Sequence, residues 1–147
     1  MRLMFKFRLE RVLQLRISEE NQLKLELASV RARMRILQEE INSAQQMLYK
    51  MSQEVLQDPS RGLSGNEIHQ WRSYVEATEN YIRKKLQDLK NLKSEEDRLK
   101  EKYLEMRKDR KILENLKAKQ FKRYAFEQDR LNRLYMDEIA LRKYARR

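Results

Sequence analysis

The sequence predicts an all-α fold, two long helices forming an antiparallel coiled-coil hairpin in which the second helix is longer and overhangs the first. Three observations carry that expectation. The 147 residues include only two glycines, one proline and no cysteine, with 39% charged and 40% hydrophobic, the balance of a long-helix protein. One heptad repeat runs without a slip through the first half. Both glycines and the proline are gathered in one short stretch near the middle. Few elements are therefore possible, and those few must be long. We read residues 1–147 as a single coiled-coil domain.

The first helix is expected over about 8–57. From Leu23 its apolar positions are Leu27, Val30, Met34, Leu37, Ile41, Ala44, Leu48, Met51 and Val55, spaced 4,3,4,3 throughout. A straight 3.6-residue helix keeps such a stripe on one face only by supercoiling left-handedly around a partner. Upstream, Phe5, Leu9, Val12, Leu13 and Ile17 continue an apolar face, which Glu19 to Gln22 interrupt. At 1.5 Å per residue this helix is roughly 75 Å long.

The turn is expected over about 58–64. Pro59 disfavours helix at Asp58, and Gly62 suits a positive-φ turn position. Ser64-Gly65-Asn66-Glu67 reads as a capping box, with Leu63 and Ile68 as its hydrophobic staple, so the second helix starts at about 65. No glycine or proline follows, and that helix is expected to run to about 144, on the order of 115 to 120 Å.

Its stripe reads Ile68, Trp71, Val75, Ile82, Leu86, Leu89, Leu92, Leu99, Tyr103, Met106 and Leu113, continuing to Tyr124, Leu131, Leu134 and Leu141. Beyond Met106 the repeat frays, with Arg110, Lys117 and Gln120 at expected core positions. With a turn near residue 61, roughly the last thirty residues pass the start of the first helix and lack an intramolecular partner. They carry Phe121, Tyr124, Phe126, Leu131, Leu134, Tyr135 and Ile139. An isolated helix does not expose such residues to water without a reason, and a partner protein supplies one.

Formal charge is +11, unevenly placed: +3 over residues 1–24, 0 over 25–99 and +8 over 100–147. In a hairpin both basic regions share one end. Interleaved Lys/Arg and acids on a helix are ordinarily a solvated face. A basic-region zipper needs an uninterrupted basic stretch, which Glu127, Asp129, Asp137 and Glu138 break. Mixed charge with interleaved aromatics suits an acidic protein surface better. By location and charge, Phe121, Tyr124, Arg142, Lys143, Arg146 and Arg147 are the candidate contacts at this end. Near the turn, Tyr49, Trp71, Tyr74 and Tyr81 form a second candidate surface, although Trp71 at an a/d position reads first as a core residue. A basic coiled-coil nucleic-acid binder and a general scaffold are the alternatives from other classes.

Signs of catalysis are weak. His69 is the one histidine, there is no thiol, and neither GxxxxGK[ST] nor GxGxxG occurs, so no structural zinc set, nucleophile pair or phosphate cradle can be assembled from the motifs. No enzyme activity, cofactor, metal or bound nucleic acid is expected. No window approaches the roughly 18 apolar residues of a membrane span, and the chain reads as soluble and cytoplasmic, without a transmembrane segment.

The opening Phe5-Lys6-Phe7-Arg8-Leu9-Glu10-Arg11-Val12-Leu13-Gln14-Leu15-Arg16, the central Gly62-Leu63-Ser64 followed by Trp71 and Tyr74, and the closing Lys119-Gln120-Phe121-Lys122 with Met136-Asp137-Glu138-Ile139-Ala140 together resemble the FliJ family. This is the small cytoplasmic coiled-coil component of the bacterial flagellar type III export apparatus, and the resemblance covers essentially the whole chain. It implies a stalk similar to that of rotary ATPases, which associates with the pore of the hexameric export ATPase and promotes its assembly and activity. It also implies contact with the cytoplasmic part of the export-gate membrane protein, help in recycling the chaperones of export substrates, and peripheral association with the membrane-embedded apparatus.

Overall fold

The computed structural model describes residues 4–56 and 64–146. Two helices account for nearly all of them, α1 over Glu10–Leu56 and α2 over Gly65–Ala145. Among the described residues there is no strand, no cis peptide and no positive-φ residue. The two helices pack against each other, as the fold class requires. Of the expected turn, Asp58, Pro59, Gly62 and Leu63 lie outside the described residues, as does the staple that Leu63 would form.

The ends of the helices follow from local chemistry. Leu13 N donates to Leu9 O at 2.9 Å and Glu10 N to Phe7 O at 3.1 Å, closing the first turn of α1. Glu10 in that turn meets the positive end of the helix dipole. At α2 the Glu67 amide donates to Ser64 Oγ at 3.2 Å, and Ile68 N to Ser64 O at 3.0 Å. Ser64 is thus the N-cap, satisfying an amide that has no partner within the helix. Gly65 has open space where a Cβ would stand. At the other end Arg142 and Lys143 occupy the last turn, where cations complement the negative end of the dipole.

The described chain divides into two compact units, residues 23–102 and residues 1–22 with 103–147. In the unit of residues 23–102, Leu27, Val30, Ile41 and Leu99 are buried. Leu23, Met34, Leu37, Ala44, Leu48 and Val55 are half-buried, so every a/d position of the α1 repeat here is covered except Met51. From α2 the facing positions are Ile82, Lys85, Leu89, Leu92, Glu96 and Leu99, again in 3,4 alternation. Leu86, read from sequence as part of the stripe, is instead 48% exposed, and Lys85 takes the seam position. It does so by pairing across the helices with Glu40, Nζ to Oε2 at 3.0 Å. Arg31 and Glu96 make a second crossing at 3.6 Å. The pairings fall on α2 as they rise on α1, so the helices are antiparallel here.

In the unit of residues 1–22 and 103–147, Phe7, Leu13 and Glu20 are buried. Here the interruptions that the two halves show in sequence meet each other. Arg110 donates through Nε to Glu20 and through Nη2 to Glu20 Oε1 at 3.3 Å. Arg16 Nε lies 3.9 Å from Asp109 Oδ2, and its Nη1 is 3.8 Å from Met106 Sδ. Lys117 Nζ lies 2.8 Å from Glu10 Oε2. Polar residues on one helix are thus matched by opposite charges on the other. The fraying read beyond Met106 is a polar stretch of the seam, and the antiparallel direction holds in this unit also. Leu113 and Lys117 are half-buried, while Gln120 is exposed.

Candidate protein-interaction surfaces

The terminal surface lies in the unit of residues 1–22 and 103–147. Residues 4–7 precede α1 without helical structure and bring Phe5 onto α2. Its ring meets Phe121 edge to face, with centroids 5.4 Å apart at 77°, and Tyr124 at 5.5 Å and 45°. Such geometries are favourable between aromatic quadrupoles. Two of the candidate contacts therefore have an intramolecular partner that periodicity could not reveal, because Phe5 sits outside the helix. Phe121 still exposes about half its surface, 53%, and Tyr124 is half-buried.

After Tyr124 the helix continues with little cover. Phe126 is 68% exposed, Tyr135 64%, Met136 65%, Leu141 69% and Tyr144 80%, and among the described residues of this stretch only Gln128 and Ile139 are half-buried. Its charges are tied within α2: Arg130 to Glu127 at 3.0 Å, Arg133 to Asp129 at 3.1 Å, and Arg142 to Glu138 at 3.2 Å. Lys143 and Arg146 are exposed, and Arg147 lies outside the described residues. Arg142 and Lys143 thus already have local roles, in an i,i+4 pair and at the helix terminus.

The aromatic surface lies in the unit of residues 23–102. Trp71 and Tyr74 stack at 6.0 Å and 27°, and both are half-buried. Tyr81 is 44% exposed with Lys85 Nζ 5.4 Å from its ring centroid, within the range of a cation–π contact. The same Nζ lies 3.0 Å from Glu40 Oε2, and that pairing raises the lysine pKa. Tyr49 is 66% exposed, and among the described residues its ring stacks on none of the other three. The structure thus joins Trp71 to Tyr74, places Tyr81 beside Lys85 on the same helix, and leaves Tyr49 apart on α1.

Among the described residues no group of three or more His, Cys, Asp or Glu is arranged to hold a metal ion. No helix is long and apolar enough to cross a membrane. His69 stands exposed on the first turns of α2. One feature that residue patterns did not single out is an open groove of about 600 Å³ between the helices, lined by Arg31, Arg35, Lys90 and Lys93 among others. The zero net charge of residues 25–99 hides it, because a single one of the balancing acids, Glu96, lines the groove.

Two antiparallel helices with a mixed polar and apolar seam, and exposed aromatics outside it, define a helical hairpin of the coiled-coil class that offers helix faces to its surroundings. The match to protein families is specific. A family model described as flagellar FliJ protein matches residues 5–147, and the chain belongs to the FliJ family. It is a component of the flagellar export apparatus. Searches of curated proteins and of solved structures returned no match.

Proposed function

We propose that this chain is a non-enzymatic stalk of the flagellar export apparatus that binds and stimulates the hexameric export ATPase through its terminal region. The observation that carries the reading is the stretch of α2 beyond Tyr124, where Phe126, Tyr135, Met136, Leu141 and Tyr144 are mostly exposed. A helix with that much apolar surface and, among the described residues, no covering element is a protein-binding surface by default. The net charge of +8 over residues 100–147 adds attraction to an acidic partner and a faster encounter with it. Phe121 and Tyr124, with Arg142, Lys143, Arg146 and Arg147, are the contacts we assign to the ATPase. Trp71 and Tyr74, with Tyr49 and Tyr81, are assigned to the cytoplasmic part of the export gate, as rigid aromatic anchors. Escort of substrate chaperones completes the proposed role, which places the chain in the cytoplasm, peripherally associated with the membrane-embedded apparatus.

The test is reversal of the four terminal cations to Glu, followed by binding and hydrolysis assays with the cognate ATPase. Loss of binding and stimulation supports the assignment. Unchanged binding and stimulation at both low and high salt would show it to be wrong.

A further inference from the structure

The groove between residues 31–38 of α1 and 86–96 of α2 lies wholly within the unit of residues 23–102. Three of its lining residues are apolar, Met34, Leu86 and Leu89, and four are cations, Arg31 and Arg35 from α1 and Lys90 and Lys93 from α2. The single acid in the lining, Glu96, is already engaged. It lies 2.8 Å from Lys93 Nζ and 3.6 Å from Arg31 Nε, with only 13% of its side chain exposed. Arg35 and Lys90 make no ion pair among the described residues, and both are exposed.

These two free cations come from opposite helices. The crossings of Arg31 with Glu96 and of Glu40 with Lys85 bracket Arg35 on one helix and Lys90 on the other, so the two lie near the same level of the antiparallel pair. Beside them Leu86 leaves 48% of its surface in water. The result is a strip of apolar surface bordered on each side by an unpaired positive charge. One kind of ligand complements both features at once.

We propose that this groove docks an acidic amphipathic helix of a partner protein, its apolar stripe on Met34, Leu86 and Leu89 and its carboxylates on Arg35 and Lys90. An amphipathic helix lays its apolar face into such a groove through residues one turn apart, and flanking carboxylates make charge-assisted contacts with the arginine and lysine. A nucleic acid would use the cations but gain nothing from the leucines and methionine. A second copy of this chain pairing through the same face would set these four cations against their own counterparts. The assignment is independent of the terminal and aromatic surfaces discussed above, since it shares no residue with either.

The test uses the full chain and a labelled probe peptide with leucine at heptad a and d and glutamate at e and g. Binding is read by fluorescence anisotropy, and the site by amide chemical-shift changes. The wild type is expected to bind, with shifts centred on Met34, Arg35, Leu86, Leu89 and Lys90. The double variant Arg35→Glu with Lys90→Glu should weaken binding by about tenfold or more, since two attractive contacts become repulsive, with its thermal melt unchanged because neither residue has a partner to lose. Leu86→Ala should weaken binding without altering the charge. The double variant Lys119→Glu with Lys122→Glu makes the same charge change elsewhere and should bind as the wild type does. The proposal is overturned if the groove variant binds equally well, if a scrambled peptide of the same composition binds as tightly, or if the chemical shifts move elsewhere. Displacement of the peptide by a short DNA duplex of higher affinity at the same salt would overturn it too, since the groove would then be reading charge alone.

Discussion

Leu99 is the buried residue of α2, 3% exposed in the seam, and replacing it with alanine measures how much the seam holds. Alanine removes part of a side chain whose full burial is worth roughly 1.5 to 3 kcal/mol by transfer alone. Cavity terms raise the cost of a core Leu→Ala change to about 2 to 5 kcal/mol. A seam between two helices can partly close around the lost atoms, so the lower end applies, about 2 to 3 kcal/mol. Helix propensity cannot account for such a loss, because alanine is the best helix former. For a chain of this size each kcal/mol moves the melting temperature by about 2–4 °C, giving a drop of about 4–12 °C. Leu104 is on the same helix but 50% exposed, and Leu104→Ala should stay within about 0.5 kcal/mol, as surface changes do. Both follow from urea and thermal unfolding monitored by circular dichroism. Equal losses at the two positions, or a loss under about 0.5 kcal/mol at Leu99, would refute the seam as drawn.

Four further outcomes follow from the pairs and surfaces. Glu20→Ala strands Arg110 beside its remaining partner Glu114 and should lower the melting temperature. Glu20→Leu combined with Arg110→Leu should restore or raise it, because a buried ion pair seldom outperforms packed apolar residues. Lys117 holds the Glu10 carboxyl below its ordinary value of 4.5, and Lys93 does the same for Glu96. Stability from these pairs is present above pH 4.5 and lost as pH falls through the lowered values; Lys117→Gln should flatten that acid limb in melts across pH. The pairings of Lys85 with Glu40 and Lys93 with Glu96 raise the lysines above 10.5. Their contribution is present below that pH and lost as pH rises through the raised values, so melting temperature should also fall at the alkaline extreme. Trp71→Ala with Tyr74→Ala should weaken capture of the purified cytoplasmic part of the export gate while the far-ultraviolet spectrum stays helical; undiminished capture would remove the aromatic surface from the account.

What sequence made legible was periodicity. A repeat from Leu23 to Val55 with no slip in its 4,3 spacing has one geometric solution, and the fold class followed from it together with the scarcity of breakers. The Ser64 cap was readable for the same reason, since a hydroxyl three residues before Glu67 is a local signal. Pairings between distant residues were not readable. Glu20 and Arg110 each look like a break in a stripe, and only the antiparallel register shows that they face each other. The same holds for Lys85, which enters the seam in place of Leu86 because Glu40 stands opposite. Phe5 continues the apolar spacing ahead of the expected helix start, and nothing in that spacing shows that its ring packs on Phe121 and Tyr124. The basic groove escaped because charge was counted along the chain, whereas Arg35 and Lys90 become neighbours only across the two helices.

A stalk that stimulates the export ATPase, as proposed, is tested most directly by ATP turnover of the cognate flagellar export ATPase with and without the chain across a salt series. The account predicts stimulation at less than one chain per ATPase subunit, weakening as salt screens the terminal cations. Unchanged turnover, with no co-migration of the two proteins at any salt concentration, would contradict it.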